Sequence, residues 1–125
     1  MKPDILRVHR DARGSVFEPA GEADLPAQKN VHVVVTHPGG VRGNHAHRRG
    51  TEIIVVGGPA LVRYREEGRI VDHRIPDGEV HRFRIPPGVA HAIRNTGTTD
   101  TILVAFSTEP YDPADPDTVR DELIP

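Results

Sequence analysis

Short runs rich in valine, isoleucine and threonine recur along the chain, separated by turns that contain glycine, proline or asparagine. Runs of this length and composition are typical of β-strands. They lie at Val31–Thr36, Glu52–Val56, Ala60–Arg65, Ile70–Ile75, Val80–Ile85, Ala92–Asn95 and Thr101–Ser107. No long stretch has the helical period, so the pattern predicts an all-β protein, either a sandwich or a barrel.

Two connections between these runs are also predictable. Glu66–Arg69 contains Gly68 and separates two of the runs, which predicts a β-hairpin with a short glycine turn. Glu18–Asn30 contains Pro19, Gly21 and Pro26 and is interpreted as a loop.

The C-terminal segment predicts one short helix. Asp115-Pro116-Asp117-Thr118 combines residues that favour a helix N-cap, a proline suited to the first turn, and negative charge at the positive end of the helix dipole. We expect this helix to continue to about Leu123.

The size of the chain limits its organisation. With 125 residues and a mass of 13.7 kDa, residues 1–125 are predicted to form a single domain. Apolar runs such as Ile53–Val56 are too short to cross a bilayer, and the N-terminus lacks the apolar core of a signal peptide. We therefore expect a cytoplasmic protein with no membrane partner.

Charge and composition exclude several classes of function. The net charge of −2 gives no overall positive field, so nucleic acid is not an expected partner. The absence of cysteine excludes disulfides, thiolate zinc sites and cysteine nucleophiles. Any metal binding or proton transfer must therefore depend mainly on the eight histidines.

The densest group of chemically active residues lies between Arg42 and Glu52. His45 and His47 are two positions apart, so on an extended strand they face the same side. Glu52 can return on the neighbouring strand, and the turn Pro86-Pro87-Gly88 can direct His91 to the same place. Three imidazoles and a carboxylate suit Zn²⁺, Fe²⁺, Mn²⁺, Ni²⁺ or Cu²⁺, with positions left for water or substrate.

The remaining histidines have less distinctive surroundings. Those with polar neighbours are interpreted as solvated surface residues: His9, His37, His73 and His81. His32 alternates with valines, so it either faces the same interior as the cluster or is an ordinary core histidine.

Two motifs in this order resemble those of the cupin superfamily. The first combines His45-X-His47 with Glu52 and Gly58, and the second combines Pro86-X-Gly88-X-X-His91 with Asn95. Gly78 lies two residues further upstream of Pro86 than in the usual pattern. The resemblance implies a double-stranded β-helix, or jelly roll, with a metal in the barrel mouth. The ligands that it implies are His45, His47, Glu52 and His91.

Flanking segments resemble the cupins that act on nucleotide sugars. Asp11–Gly14 with Glu18, Gln28-X-Asn30 and Arg42-Gly43 are similar to segments of dTDP-4-dehydrorhamnose 3,5-epimerases and dTDP-4-keto-6-deoxyhexose 3,4-ketoisomerases. The C-terminal cupin domain of capsular-polysaccharide UDP-sugar epimerase/reductases is resembled more strongly, through segments 42–45, 85–91 and 113–118. The chain is therefore expected to be a metal-dependent epimerase or isomerase of a nucleotide-linked 4-keto-6-deoxy sugar.

The resemblance also implies roles for individual residues. Arg13, Gln28 and Arg42 are expected to bind the substrate, since guanidinium groups match phosphate oxygens. The general base is left open between His32 and a displaced ligand histidine, and Tyr111 is expected to supply a proton.

The resemblance implies two further partners. Cupins of this kind are commonly dimers, so a homodimer is expected. The 125 residues contain no dinucleotide-binding fingerprint, so any reduction is expected to need a separate reductase.

Two alternatives remain open. In metal-free sugar-nucleotide 3,4-ketoisomerases the His pair acts directly as acid and base, and His45 and His47 would then have those roles. Glu52 favours the metal, because the metal-free relatives look as though they have glutamine at this position, whereas a carboxylate beside imidazoles favours a cation. The second alternative is a metal-binding cupin that binds a small molecule or acts as a dioxygenase, and Asp11, Arg13 and Gln28 argue against it.

Overall fold

The computed structural model describes residues 1–125, and nearly all of its regular structure is β. The strands are β1 (Asp4–Ile5), β2 (His9–Asp11), β3 (Gly14–Val16), β4 (Asn30–Thr36), β5 (Val41–His47), β6 (Glu52–Gly57), β7 (Ala60–Glu66), β8 (Arg69–Ile75), β9 (Val80–Ile85), β10 (His91–Asn95), β11 (Thr101–Ser107) and β12 (Thr118–Arg120). A single 3-10 turn, Leu25–Ala27, interrupts the long loop between β3 and β4. All seven runs predicted from the sequence are strands, with ends that differ by at most one residue.

Two antiparallel five-stranded sheets enclose the core. Their orders are β1-β9-β6-β11-β4 and β12-β5-β10-β7-β8, and β2 and β3 form a separate hairpin. The central cluster takes buried side chains from both sheets, including Ile54, Val62, Phe83 and Ile93. This arrangement is the jelly roll of the cupins, so the predicted double-stranded β-helix is confirmed.

The predicted hairpin is present between β7 and β8. Its strands pair Glu66 with Arg69, leaving a two-residue turn. Both turn residues have a positive φ, 53° at Glu67 and 74° at Gly68, as the tight turns that match strand twist require.

The outer face of the first sheet is only partly covered. The N-terminal segment packs Leu6, Val8 and Phe17 against the outward side chains of β6, β9 and β11. The strand at the other edge of this sheet, β4, stays uncovered, and its outward valines and a neighbouring isoleucine are exposed: Val31 55%, Val33 63%, Val35 48% and Ile102 59%.

The predicted C-terminal helix is wrong. Thr118–Arg120 forms β12, which pairs antiparallel with β5 and places Thr118 opposite His47. The Asp117 carboxylate does not cap a helix but accepts the backbone N–H groups of Arg49 and Gly50. Pairing with a distant strand therefore overrides the local helix-start signal. No helix in the structure is long and apolar enough to cross a membrane.

The surface prediction holds for His9 and His37, which are exposed, but is wrong for His81. His81 is only 3% exposed because it shares the inward face of β9 with Phe83. His73 is half-buried: its Nε2 lies 2.9 Å from Nδ1 of His81, and its ring packs edge-on against Phe83.

Candidate active site

Three strands bring the two sequence motifs together at one end of the barrel. His45 and His47 lie on β5, Glu52 begins β6 and His91 begins β10. One ligand atom from each residue lies within 4.8 Å of the others. The ring centroid of His45 is 5.1 Å from that of His47 and 4.9 Å from that of His91.

A close backbone approach explains why β5 and β10 can hold these side chains together. Gly43 lies opposite a bulge between His91 and Ala92 and has a φ of 87°. A Cβ atom at position 43 would lie 2.7 Å from the carbonyl oxygen of His91. Only glycine fits this position without moving the strands, and His45 is then paired with His91.

The Glu52 carboxylate lies between two imidazoles. Its Oε1 is 3.0 Å from Nε2 of His91, and its Oε2 is 2.9 Å from Nε2 of His47. Glu52 is only 5% exposed. Burial by itself would raise the pKa of Glu52, but its contacts with the two imidazoles hold that pKa far below its usual range.

The outer nitrogens of these two imidazoles face groups that accept hydrogen bonds. Nδ1 of His91 lies 3.0 Å from the carbonyl oxygen of Val89, and Nδ1 of His47 lies 3.3 Å from the Asp117 carboxylate. When Nδ1 donates its proton to this outer acceptor, the neutral ring presents the Nε2 lone pair towards Glu52.

Two lone pairs directed at a buried carboxylate call for a positive charge. Nε2 of His47 is buried without a hydrogen-bond partner, because its contact with Glu52 does not have hydrogen-bond geometry. The donor set therefore fits a divalent cation, with His45, His47, Glu52 and His91 as the residues that would hold it.

The protonation of the two β5 histidines is driven in opposite directions. Burial, followed by the charge of His91, lowers the pKa of His45 to about 4, so this ring is neutral near pH 7. Burial also opposes a charge on His47, but the carboxylates of Glu52 and Asp117 outweigh it and raise the pKa of His47.

Two adjoining cavities open onto the cluster. The mouth cavity, about 230 Å³, contacts His45, His47 and Glu52 from one side, and the side cavity, about 200 Å³, contacts His45, Glu52 and His91 from the other. His32 lines both cavities, so it faces the same interior as the cluster.

The other predicted site residues are distributed unevenly. Tyr111 lies on the rim of the mouth cavity and is 80% exposed, and Arg42 lines the side cavity. Arg13 and Gln28 line neither cavity within one chain. Arg13 pairs with Asp11 in the exposed β2–β3 hairpin, whereas Gln28 donates a hydrogen bond to the carbonyl of Asp24 in the long loop.

Sequence reasoning missed most of the wall of the mouth cavity. The additional residues are Asn30, Ser107, Glu109, Asp112, Asp117 and Thr118. Four of them follow β11, and two of these four, Asp117 and Thr118, lie in the segment that was predicted to start a helix. The available signal was Asp117 itself, an acidic residue in a proline-rich segment that resembles the sugar-nucleotide cupins.

Comparison with known proteins identifies the family. The sequence profile described as "Polysaccharide biosynthesis C-terminal domain" matches residues 9–119. The chain belongs to this family. A curated relative, UDP-2-acetamido-2,6-beta-L-arabino-hexul-4-ose reductase from Pseudomonas aeruginosa, is 30% identical over 114 residues, which are 89% of this chain and 30% of the reductase. The chain thus spans less than a third of that relative's length.

Solved structures show the same fold. The polysaccharide biosynthesis C-terminal domain formed by this chain is similar to part of the capsular polysaccharide assembling protein CapF from Staphylococcus aureus, with 30% identity and a TM-score of 0.70 over 94% of this chain and 33% of CapF. It is also similar to QdtA, a sugar 3,4-ketoisomerase from Thermoanaerobacterium thermosaccharolyticum solved with TDP. There the identity is 20% and the TM-score 0.71, over 96% of this chain and 87% of QdtA.

Proposed function

We propose that this protein is a metal-dependent epimerase or isomerase that exchanges the proton next to the ketone of a nucleotide-linked 4-keto-6-deoxy sugar. The observation that carries the proposal is the Glu52 carboxylate held between Nε2 of His47 and Nε2 of His91, with both Nδ1 atoms facing acceptors. The name of the Pseudomonas relative specifies a UDP-linked hexul-4-ose, and QdtA is a ketoisomerase solved with TDP.

The proposed chemistry matches the donor set. A proton next to a ketone is weakly acidic, so a side-chain base removes it slowly unless the enolate is stabilised. His45, His47, Glu52 and His91 would hold a zinc, nickel, iron or manganese ion. Such an ion, when bound, polarises the keto oxygen and stabilises the enolate by several kcal/mol.

Two side chains at the cavities are assigned to the proton transfers. His32 faces the cluster from β4 and lines both cavities, so it is placed to remove the proton. The ring nitrogens of His47 and His91 already contact Glu52 and an outer acceptor. Burial, followed by the charge of His91, lowers the pKa of His45 to about 4 and makes it a weak base, so His32 is the better base. Tyr111, on the rim of the mouth cavity, returns a proton to the sugar.

The distribution of charge orients the substrate. The mouth cavity carries the carboxylates of Glu109, Asp112 and Asp117, which repel a diphosphate. Arg42 lines the side cavity, and its guanidinium contacts only the carbonyl of Val35 at 3.1 Å, so it keeps donors for phosphate oxygens. The diphosphate is therefore assigned to the Arg42 side and the sugar to the metal ligands.

The uncovered β4 edge supports a homodimer. Three valines of β4 are exposed on one face, and the outer edge of this strand has no partner in the chain. The β2–β3 hairpin is exposed along its whole length, and Arg10, which donates to the carbonyl of Gly78, is the residue that ties it to the barrel. An isolated two-stranded hairpin is marginal in water, so a second copy of this chain is the proposed cover for both features.

The reduction in the name of the Pseudomonas relative is not assigned to the site of this domain. Proton exchange leaves the ketone in place, and none of the proposed site residues binds a hydride carrier. We expect a reductase active site outside residues 1–125 to use the epimerised sugar.

One observation favours the metal-free ketoisomerase as a second candidate. The environment lowers the pKa of His45 to about 4 and raises that of His47, and pKa values driven apart are what an acid and base pair requires. In that reaction the two histidines would move the proton between carbons without a metal. QdtA, which shares the fold, carries the name of that activity.

The proposal is tested by following solvent deuterium into the sugar. The protein is incubated in D₂O with UDP- and TDP-linked 4-keto-6-deoxy sugars, and NMR measures deuterium at C3. We expect exchange in wild type, and in the exposed-site control His37→Gln, but a loss of at least about 100-fold in His32→Gln. Binding of the sugar with no exchange at C3 would make the protein a binding cupin and overturn the proposal.

A further inference from the structure

Resting on the metal site just proposed, we infer that Asp117 is a positioning residue that holds the His47 ring with Nδ1 protonated and Nε2 directed into the cluster. Asp117 belongs to the C-terminal segment, about 70 residues from His47 in the chain. Its backbone and side chain both contact the turn that follows β5.

Both oxygens of the Asp117 carboxylate are fixed by backbone donors. Oδ1 accepts the N–H of Arg49 at 2.8 Å, and Oδ2 accepts the N–H of Gly50 at 3.0 Å. The carbonyl of Asp117 accepts the N–H of Arg48 at 2.7 Å. The side chain is 11% exposed, so these contacts are shielded from water and hold the carboxylate in one orientation.

The fixed carboxylate faces the outer nitrogen of His47. Oδ2 lies 3.3 Å from Nδ1 of His47, whose side chain is 8% exposed. Both Asp117 and Glu52 can only accept a hydrogen bond, but the contact of Nε2 with Glu52 lacks hydrogen-bond geometry. Nδ1 is therefore the protonated nitrogen of the neutral ring, and Nε2 is left as the lone-pair donor. Carboxylates in this position fix the ring orientation of a metal-binding histidine and raise its basicity.

Gly50 provides the space for this contact. A Cβ atom at position 50 would lie 2.9 Å from Oδ2 of Asp117 and 3.0 Å from Cγ of Glu109. Gly50→Ala should therefore displace the Asp117 carboxylate from His47 without removing its charge. This variant therefore tests whether the position of the Asp117 carboxylate matters for His47, since its charge is kept.

The direct test is the tautomer of His47 in the metal-free protein, measured by ¹⁵N NMR at alkaline pH, where the imidazole is neutral. We expect the Nδ1–H tautomer in wild type. In Asp117→Asn the amide can turn its NH₂ group towards Nδ1, and the Nε2–H tautomer should then increase. Asp115→Asn is the matched control, because Asp115 contacts Arg49 in the same segment and is 64% exposed. It should leave the His47 signals unchanged.

The second readout is affinity for Zn²⁺ alone, by calorimetric titration with a competing chelator. We expect Asp117→Asn to weaken binding by about 10- to 100-fold, Gly50→Ala to weaken it in the same direction, and Asp115→Asn to have no effect. Circular dichroism checks that each variant is folded.

Each result has one meaning. An Nε2–H tautomer in wild type, or a tautomer and affinity that Asp117→Asn does not change, overturns the positioning role. A tautomer that depends on Asp117 in a protein that binds no Zn²⁺ supports the positioning role but removes the metal from the proposed function. If Asp117→Asn does not fold, the His47 tautomer in wild type and the Zn²⁺ affinity of Gly50→Ala still test the positioning role.

Discussion

Glu52 Oε1 lies 3.0 Å from Nε2 of His91, a ring whose Nδ1 is already 3.0 Å from the carbonyl of Val89. A neutral imidazole has one proton, so it cannot donate to both acceptors. The contact is favourable only when the ring is protonated or when a cation lies between the nitrogen and the carboxylate. The same conflict at His47 makes Glu52 the residue on which the candidate metal site depends.

Glu52→Gln should abolish tight metal binding. The amide has no negative charge, and one of its two polar atoms is a donor, so it cannot serve both imidazoles as Glu52 does. We expect the affinity for Zn²⁺ to fall by more than about 100-fold, measured by titration. Glu109→Gln, on the rim of the same cavity and near Arg49, is the control and should bind as wild type. Equal affinities for the two variants would contradict the assignment of Glu52.

Gly43→Ala should disturb the site through the backbone. An alanine there would clash with the carbonyl of His91 at 2.7 Å and separate β5 from β10. Gly39→Ala is a matched control, because its φ of 78° is close to the 87° of Gly43 but nothing lies within 4 Å of its Cβ position. Both variants should lose about 1 kcal/mol of unfolding free energy or more from the backbone conformation, but only Gly43→Ala should also weaken metal binding. If Gly39→Ala weakens it as much, the close approach is not the cause.

The sequence predicts the strands correctly where β-branched residues recur at short range. It does not predict structure that depends on a hydrogen-bond partner far away in the chain. The motif histidines could be placed on one face of a strand because their spacing of two is a local property. The hydrogen bonds of Asp117 could not be predicted, because the N–H groups that donate to its carboxylate belong to a turn about 70 residues earlier. The same distant contact turns Thr118–Arg120 into a strand.

His81 is buried although polar residues lie near it in the sequence. Its neighbours Glu79 and Arg82 favoured a surface position, but its alternation with Phe83 and Ile85 matches the inward face of β9. Arg82 and Arg84 occupy the outward face and pair with Asp4. Alternation along the strand was therefore the better guide than the polarity of the adjacent residues.

Val33→Lys should convert the proposed dimer into a monomer. Val33 lies in the middle of the exposed β4 face and is 63% exposed, so a lysine costs little in the single chain but would place a charge in the interface. Light scattering after gel filtration should show the molar mass halved. Ile70→Lys, on the edge strand of the other sheet and 50% exposed, should leave the mass of the dimer unchanged. A wild-type monomer, or two variants that behave alike, would contradict the β4 interface.

In His73→Gln the free energy of unfolding should fall less than in wild type as the pH is lowered. Burial, followed by the charge of His81, lowers the pKa of His73 below its usual 6.5. In the unfolded chain this histidine takes up its proton at the higher pH, so the folded state loses stability as the pH falls below about 6.5. Denaturant unfolding of the metal-free protein at several pH values should show a smaller slope in this window for His73→Gln than for wild type. Equal slopes would contradict the contribution of His73.

We propose that the cluster of His45, His47, Glu52 and His91 holds a divalent ion that proton exchange at C3 requires. The most direct measurement compares deuterium incorporation at C3 of a nucleotide-linked 4-keto-6-deoxy sugar in chelator-treated protein and in the same protein reloaded with metal. We expect no exchange without metal and restored exchange as one ion per chain is added. Full exchange in protein that elemental analysis shows to be metal-free would contradict it and would favour the His45 and His47 acid-base pair instead.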